Sequence, residues 1–185
     1  KPASTGADEY IYDPLDAHRG EDVDNVDNEK TAGIDQRRAL SIGKDGLVYH
    51  SEPVTQETAL IGYPKLTLWV SPDVPDTDIA TELDEILADG TSIALWSDVR
   101  RLRYRESIRQ EILVKRGESV LCDFNPGLFI ARRMAKGSRL RLVVSAPNSI
   151  YFEKNYNSGG VVANETAKDA RTAHVRISHD GQHAS

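Results

Sequence analysis

From residue 46 onward the chain is a succession of short apolar runs broken by Gly, Pro, Asn and Asp. The runs are Leu47–His50, Ala59–Ile61, Lys65–Ser71, Ile79–Leu87, Ser92–Ser97, Val99–Tyr104, Ser119–Phe124, Arg139–Ser145, Ser149–Phe152 and Thr172–Ser178. Many short strands with regular turn punctuation predict an all-β sandwich or barrel. Asp89-Gly90, lying between two such runs, predicts a hairpin turn. Successive side chains of a strand point to opposite faces, so alternation assigns a core side. Leu66, Leu68 and Val70 share one face; Leu140, Leu142 and Val144 do likewise. In Ser92–Ser97 the aliphatic face is Ile93 and Leu95, with Ala94 and Trp96 opposite. Both tryptophans, Trp69 and Trp96, are therefore expected to point away from the core faces.

Two stretches permit a helix. Ile79, Leu83, Ile86 and Leu87 follow helical spacing, and Asn125–Met134 could start a helix with Pro126 in its first turn. Residues 1–45 differ from the rest. Their first 40 residues hold ten acidic and five basic side chains, with few aliphatics. Such a segment buries little and repels itself. We expect residues 1–45 to be an extended, loop-rich lead-in, mobile around 18–33 and anchored by Tyr10-Ile11-Tyr12. Residues 46–185 are expected to form the sandwich.

Composition narrows the function. The chain has 185 residues and a formal charge of −6, an acidic balance that speaks against nucleic acid as a partner. No apolar run reaches the roughly 20 residues of a membrane helix, so no membrane partner is expected. Cys122 is the only cysteine, which excludes an internal disulfide and a zinc site of several thiolates. It is compatible with a cytoplasmic location without establishing one. Gly90-Thr91-Ser92-Ile93-Ala94 is the nearest string to a nucleophile elbow, but it follows a hairpin turn and has Ala in the fifth position. Of the five histidines, His179 and His183 have i,i+4 spacing, but Gly181 between them in a β-rich chain argues against a helix presenting both rings, and no metal or cofactor is expected. Asp73, Asp76 and Asp78 offer hard oxygen ligands that calcium would accept, yet Asp and Pro equally specify a turn, and turn or ion-pair chemistry is preferred. Arg103 or Arg105 is expected to pair with Asp76 or Asp78 and fix that loop.

The order of several strings carries a resemblance. Asp45-Gly46-Leu47-Val48-Tyr49-His50-Ser51-Glu52-Pro53, then Ile61-Gly62-Tyr63-Pro64, Pro75-Asp76-Thr77-Asp78, Asp89-Gly90, Leu102-Arg103-Tyr104-Arg105-Glu106-Ser107 and Lys136-Gly137-Ser138-Arg139-Leu140-Arg141-Leu142 follow one another along the chain. Together with Tyr12-Asp13-Pro14 and Gly33-Ile34-Asp35-Gln36-Arg37, this series resembles the C-terminal, non-catalytic domain of the cocaine esterase and X-Pro dipeptidyl-peptidase (S15-type) serine hydrolases. The resemblance implies a jelly-roll, galactose-binding-like β-sandwich packed on a catalytic α/β-hydrolase domain. It implies a strand at Ile79–Leu87. Ser138 departs from the family pattern, which often has His there. The family's Ser-Asp-His triad lies in the hydrolase domain, so no catalytic residue falls on this chain. The expected partners are that hydrolase domain and a further copy of the protein. Trp69 and Trp96 are the interface candidates, with burial under the lead-in and sugar stacking as the competing roles. The rival reading is a free-standing carbohydrate-binding module on the same sandwich.

Overall fold

The computed structural model describes residues 6–16, 42–125, 127–147, 149 and 151–179. Ten strands carry the fold: β1 (Ala7–Tyr12), β2 (Gly46–His50), β3 (Thr58–Gly62), β4 (Leu66–Pro72), β5 (Asp78–Ile86), β6 (Ser92–Arg101), β7 (Val120–Phe124), β8 (Ile130–Met134), β9 (Arg139–Ser145) and β10 (Ala173–Ser178). They form two four-stranded sheets, β1-β10-β4-β7 and β2-β9-β5-β6, and a two-stranded unit, β3-β8. Neighbouring strands are paired antiparallel throughout these sheets. The two large sheets share one core. Tyr10, Leu68, Val70, Val120, Phe124, Val175 and Ile177 come from the first sheet, and Ile79, Trp96 and Val144 from the second. This is an antiparallel all-β sandwich.

Alternation explains the first sheet directly. Leu68 and Val70 of β4, Val120, Cys122 and Phe124 of β7, and Ala173, Val175 and Ile177 of β10 are all buried, with less buried neighbours between them. The register places Leu68 opposite Cys122 and Val70 opposite Ile177, so apolar side chains meet across the ladder. Edge strand β1 lies within the acidic first 45 residues, where Tyr10 and Tyr12 are buried against the core. Burial raises the pKa of both phenols, that of Tyr10 the more. The expected mobile stretch 18–33 lies outside the described residues.

The Ile79–Leu87 run is strand β5, as the resemblance implies and despite its helical spacing, with β6 and β9 flanking it on both sides. Three expectations change. The segment allowed as a helix at 125–134 ends in strand β8, hydrogen-bonded to β3. Ser149–Phe152 makes no strand among its described residues, which form a bend and turn. Trp96 is a core residue, 4% exposed. The cause is a β-bulge: Leu83 pairs with Trp96, but Asp84 pairs with Ala94, so Leu95 is unmatched. One extra residue reverses the parity of everything beyond it, and Trp96 turns inward beside Leu83.

Candidate functional site

At the end of the sandwich where β4 leads to β5, the loop Asp73–Thr77 meets the exit of β6. Backbone geometry brings the charges together. β5 and β6 are paired with Asp78 opposite Arg101, and the chain then turns through a 3₁₀ segment, Leu102–Tyr104, whose Leu102 N–H donates to the Thr77 carbonyl. Arg103 Nε donates to Asp76 Oδ2 at 2.6 Å, and the Arg103 backbone N–H donates to Asp76 Oδ1 at 2.9 Å. Both side chains are buried. Arg101 grips Asp78 with two parallel bonds, Nε to Oδ1 at 2.9 Å and Nη2 to Oδ2 at 3.0 Å. This forked geometry is the one a planar guanidinium makes best.

Asn155 joins the two pairs. Its Nδ2 donates to Asp76 Oδ2 at 2.9 Å and to Asp78 Oδ1 at 2.8 Å, while its Oδ1 accepts the Asn157 N–H at 2.9 Å. Arg101 also reaches Glu153, and Arg103 Nη1 reaches the Gly160 carbonyl at 2.8 Å and Glu111 at 3.3 Å. Loops 73–77, 105–112 and 153–160 are thus tied to one buried centre. Burial raises the pKa of Asp76, against the pull of the adjacent Arg103 guanidinium. For Arg103 and Arg101 burial acts downward, but hydrogen bonds to Asp76 and Asp78 outweigh it and the net direction is upward.

Asp76 is with Arg103. Asp78 is with Arg101, where Arg103 or Arg105 was expected. Arg105 turns instead to the carbonyls of Leu102 and Ile112 and to Glu106. Asp73 accepts the His174 N–H. Asn155 carried no sequence signal, since a loop asparagine looks the same whether it caps a turn or bridges carboxylates. With Asp76 and Asp78 engaged by arginine and amide donors, this centre acts as a brace, holding loops in place.

The described residues offer little to nucleophilic chemistry. Cys122 is buried and its thiol is pushed up to about 12, chiefly by burial, which makes it a small hydrophobe. His50 accepts from Arg141 Nε at 3.0 Å, and partial burial with Arg141 and Arg139 nearby lowers its pKa. Among the described residues no group of three or more His, Cys, Asp and Glu gathers in metal-binding geometry.

Of the two tryptophans, only Trp69 stays on an outer face. It is half-buried, opposite Leu121 of β7 and Ser178 of β10. Trp96, in the core, is unavailable to a partner. Sequence reasoning missed a more exposed group at the other end of the sandwich: Ile61, Tyr63, Leu128 and Phe129, each more than half exposed.

The family model of the X-Pro dipeptidyl-peptidase C-terminal non-catalytic domain matches residues 2–185. The chain belongs to this family, whose domains form the non-catalytic part of hydrolases. It is 31% identical over 181 residues to the cocaine esterase of Rhodococcus sp. (strain MB1 Bresler), a match covering 97% of this chain and 31% of that protein. Among solved structures, an alpha-amino acid ester hydrolase superposes with a TM-score of 0.83 at 18% identity, covering 99% of this chain and 32% of that one. An aminopeptidase from a marine sediment archaeon, Thaumarchaeota archaeon, gives 0.80 at 18% identity, over 98% and 32%. These two likenesses show the fold. The chain spans about a third of the length of the relatives it matches.

Proposed function

We propose that this chain serves as the accessory domain of an S15-type α/β-hydrolase, packing on the catalytic domain and supporting the shape of its active site or the association of subunits. The carrying observation is the proportion of the match. Nearly all of this chain corresponds to 31% of cocaine esterase, which leaves room for a complete catalytic domain in a parent of that size. The parent reaction would be hydrolysis of an ester, or of a peptide bond after proline, through a serine acyl-enzyme formed outside residues 1–185. The braced loop end supports this reading, because loops held by buried charge pairs can present a fixed surface to a neighbouring domain.

A fluorophosphonate probe tests the division of labour, since it bonds covalently to an activated serine. The chain alone is expected to take up no probe and to hydrolyse p-nitrophenyl acetate no faster than buffer. The full-length parent is expected to be labelled outside residues 1–185. A covalent adduct on any serine within 1–185 would overturn the proposal.

A further inference from the structure

Arg141 of β9 is buried, and its register partner is His50, the exposed last residue of β2. Arg141 Nε donates to His50 Nε2 at 3.0 Å. A guanidinium offers donors only, so this bond exists only while Nε2 keeps its lone pair and the imidazole is neutral. Protonation puts an N–H where the acceptor was. Two donors then face each other, and two cations with them. The charges around the ring are mixed among the described residues. β9 contributes Arg139 and Arg141; Asp84 of β5 lies opposite Arg141, one strand farther from the ring; Glu52 follows two residues on and is exposed. Asp8 of β1 is turned to the other face of β2, where it accepts the Tyr49 hydroxyl. Partial burial and the two guanidinium groups hold the His50 pKa below its ordinary value.

The contact secures the chain where it leaves β2. Residues 51–54 run beside the turn between β8 and β9. The Ser51 N–H donates to the Leu140 carbonyl at 2.9 Å, and the Leu140 N–H to Ser51 Oγ at 2.9 Å. The Val54 N–H donates to the Ser138 carbonyl at 2.8 Å, and the Gly137 N–H to the Val54 carbonyl at 2.9 Å. This strap leads on to β3, and so to the β3-β8 unit. The other described histidines answer acid in the opposite sense. His174 Nδ1 lies 3.5 Å from Glu9 and His179 Nε2 lies 3.2 Å from Asp8, so a proton on either adds attraction to β1. His50 is set instead against a guanidinium.

We propose that His50 and Arg141 form an acid-released clasp: the neutral imidazole holds the strap 51–54 on β9, and a proton on Nε2 lets it go. The exposed ring takes its proton directly from solvent, with no prior unfolding. A histidine whose pKa is lower in the folded than in the unfolded chain contributes stability that is full above the unfolded value, about 6.5, and is lost as pH falls through the folded value. The release is local. β9 remains paired with β5 along its length, and Arg132 of β8 still ties the β3-β8 unit to the buried Glu85 of β5. Mild acid therefore loosens the strap while the sandwich stays folded.

Two measurements on the chain of residues 1–185 test the clasp. One is the ring titration of His50 by NMR, assigned with His50→Gln. The other is amide hydrogen exchange at about pH 7.5 and about pH 5.5, expressed as protection factors so that the intrinsic pH dependence cancels. His50 is expected to titrate below about 6.5. Protection of the Ser51, Val54 and Leu140 amides is expected to fall about threefold or more at the lower pH, while the amides of β4, inside the other sheet, keep theirs. In His50→Gln, whose amide oxygen accepts the same bond and does not titrate in this range, the strap is expected to be equally protected at both pH values. A His50 pKa at or above about 6.5 would overturn the clasp. So would unchanged strap protection in the wild-type chain, an equal fall in β4, or a strap that still loosens with acid in His50→Gln.

Discussion

Arg103 shows how much one residue can organise. Its guanidinium and backbone N–H hold Asp76, and its Nη1 reaches into two further loops. Removing one member of a buried pair leaves the other charge without compensation, which costs about 3–5 kcal/mol. Arg103→Met is therefore expected to lower the urea-derived stability by about that amount. Lys65→Ala, which breaks the exposed Lys65–Asp123 contact at 3.7 Å, should change it by less than about 1 kcal/mol. Equal effects from the two substitutions would remove the brace from this account. The Asp76 pairing was legible in the sequence because Asp73, Asp76 and Asp78 cluster in one loop and Arg100, Arg101, Arg103 and Arg105 lie close together along the chain. Which arginine meets which aspartate was not. That choice depends on the β5-β6 register, which sets Asp78 opposite Arg101 and carries Arg103 around the turn to Asp76.

At the scale of elements, alternation read the strands of the first sheet well and failed where the ladder is irregular. β4 and β10 are regular, so inward and outward residues follow directly from parity. β6 is not, because the bulge at Leu95 shifts parity and places Trp96 in the core. A bulge leaves no mark in hydrophobicity, so nothing in Ser92–Ser97 announces it. Strand β1 was hidden differently: its neighbours are acidic, and only pairing with β10 makes Ala7–Tyr12 a strand. The exposed patch escaped notice because Phe129 falls in a stretch compatible with a helix and Ile61 in a run too short to show alternation. The bulge makes a testable difference between the tryptophans. Trp96→Ala is expected to cost about 3–5 kcal/mol, as for other large core aromatics, and Trp69→Ala clearly less. Comparable losses in urea denaturation would show that the two side chains are buried alike.

For the whole molecule, the sequence supports one sandwich belonging to a larger design. The family was legible from the order of weak motifs, none specific by itself. The acidic charge was legible too, and its location matters: the first 40 residues hold ten of the 29 acidic side chains against only five basic ones, so the body of the sandwich is nearly neutral. An accessory domain coupled to a catalytic neighbour does not unfold independently of it. Differential scanning calorimetry of the full-length parent beside this chain alone tests that claim most directly. The account predicts that residues 1–185 unfold in the full-length protein several degrees higher than in isolation and together with the catalytic domain, whereas a separate transition at the same temperature as the isolated chain would contradict it.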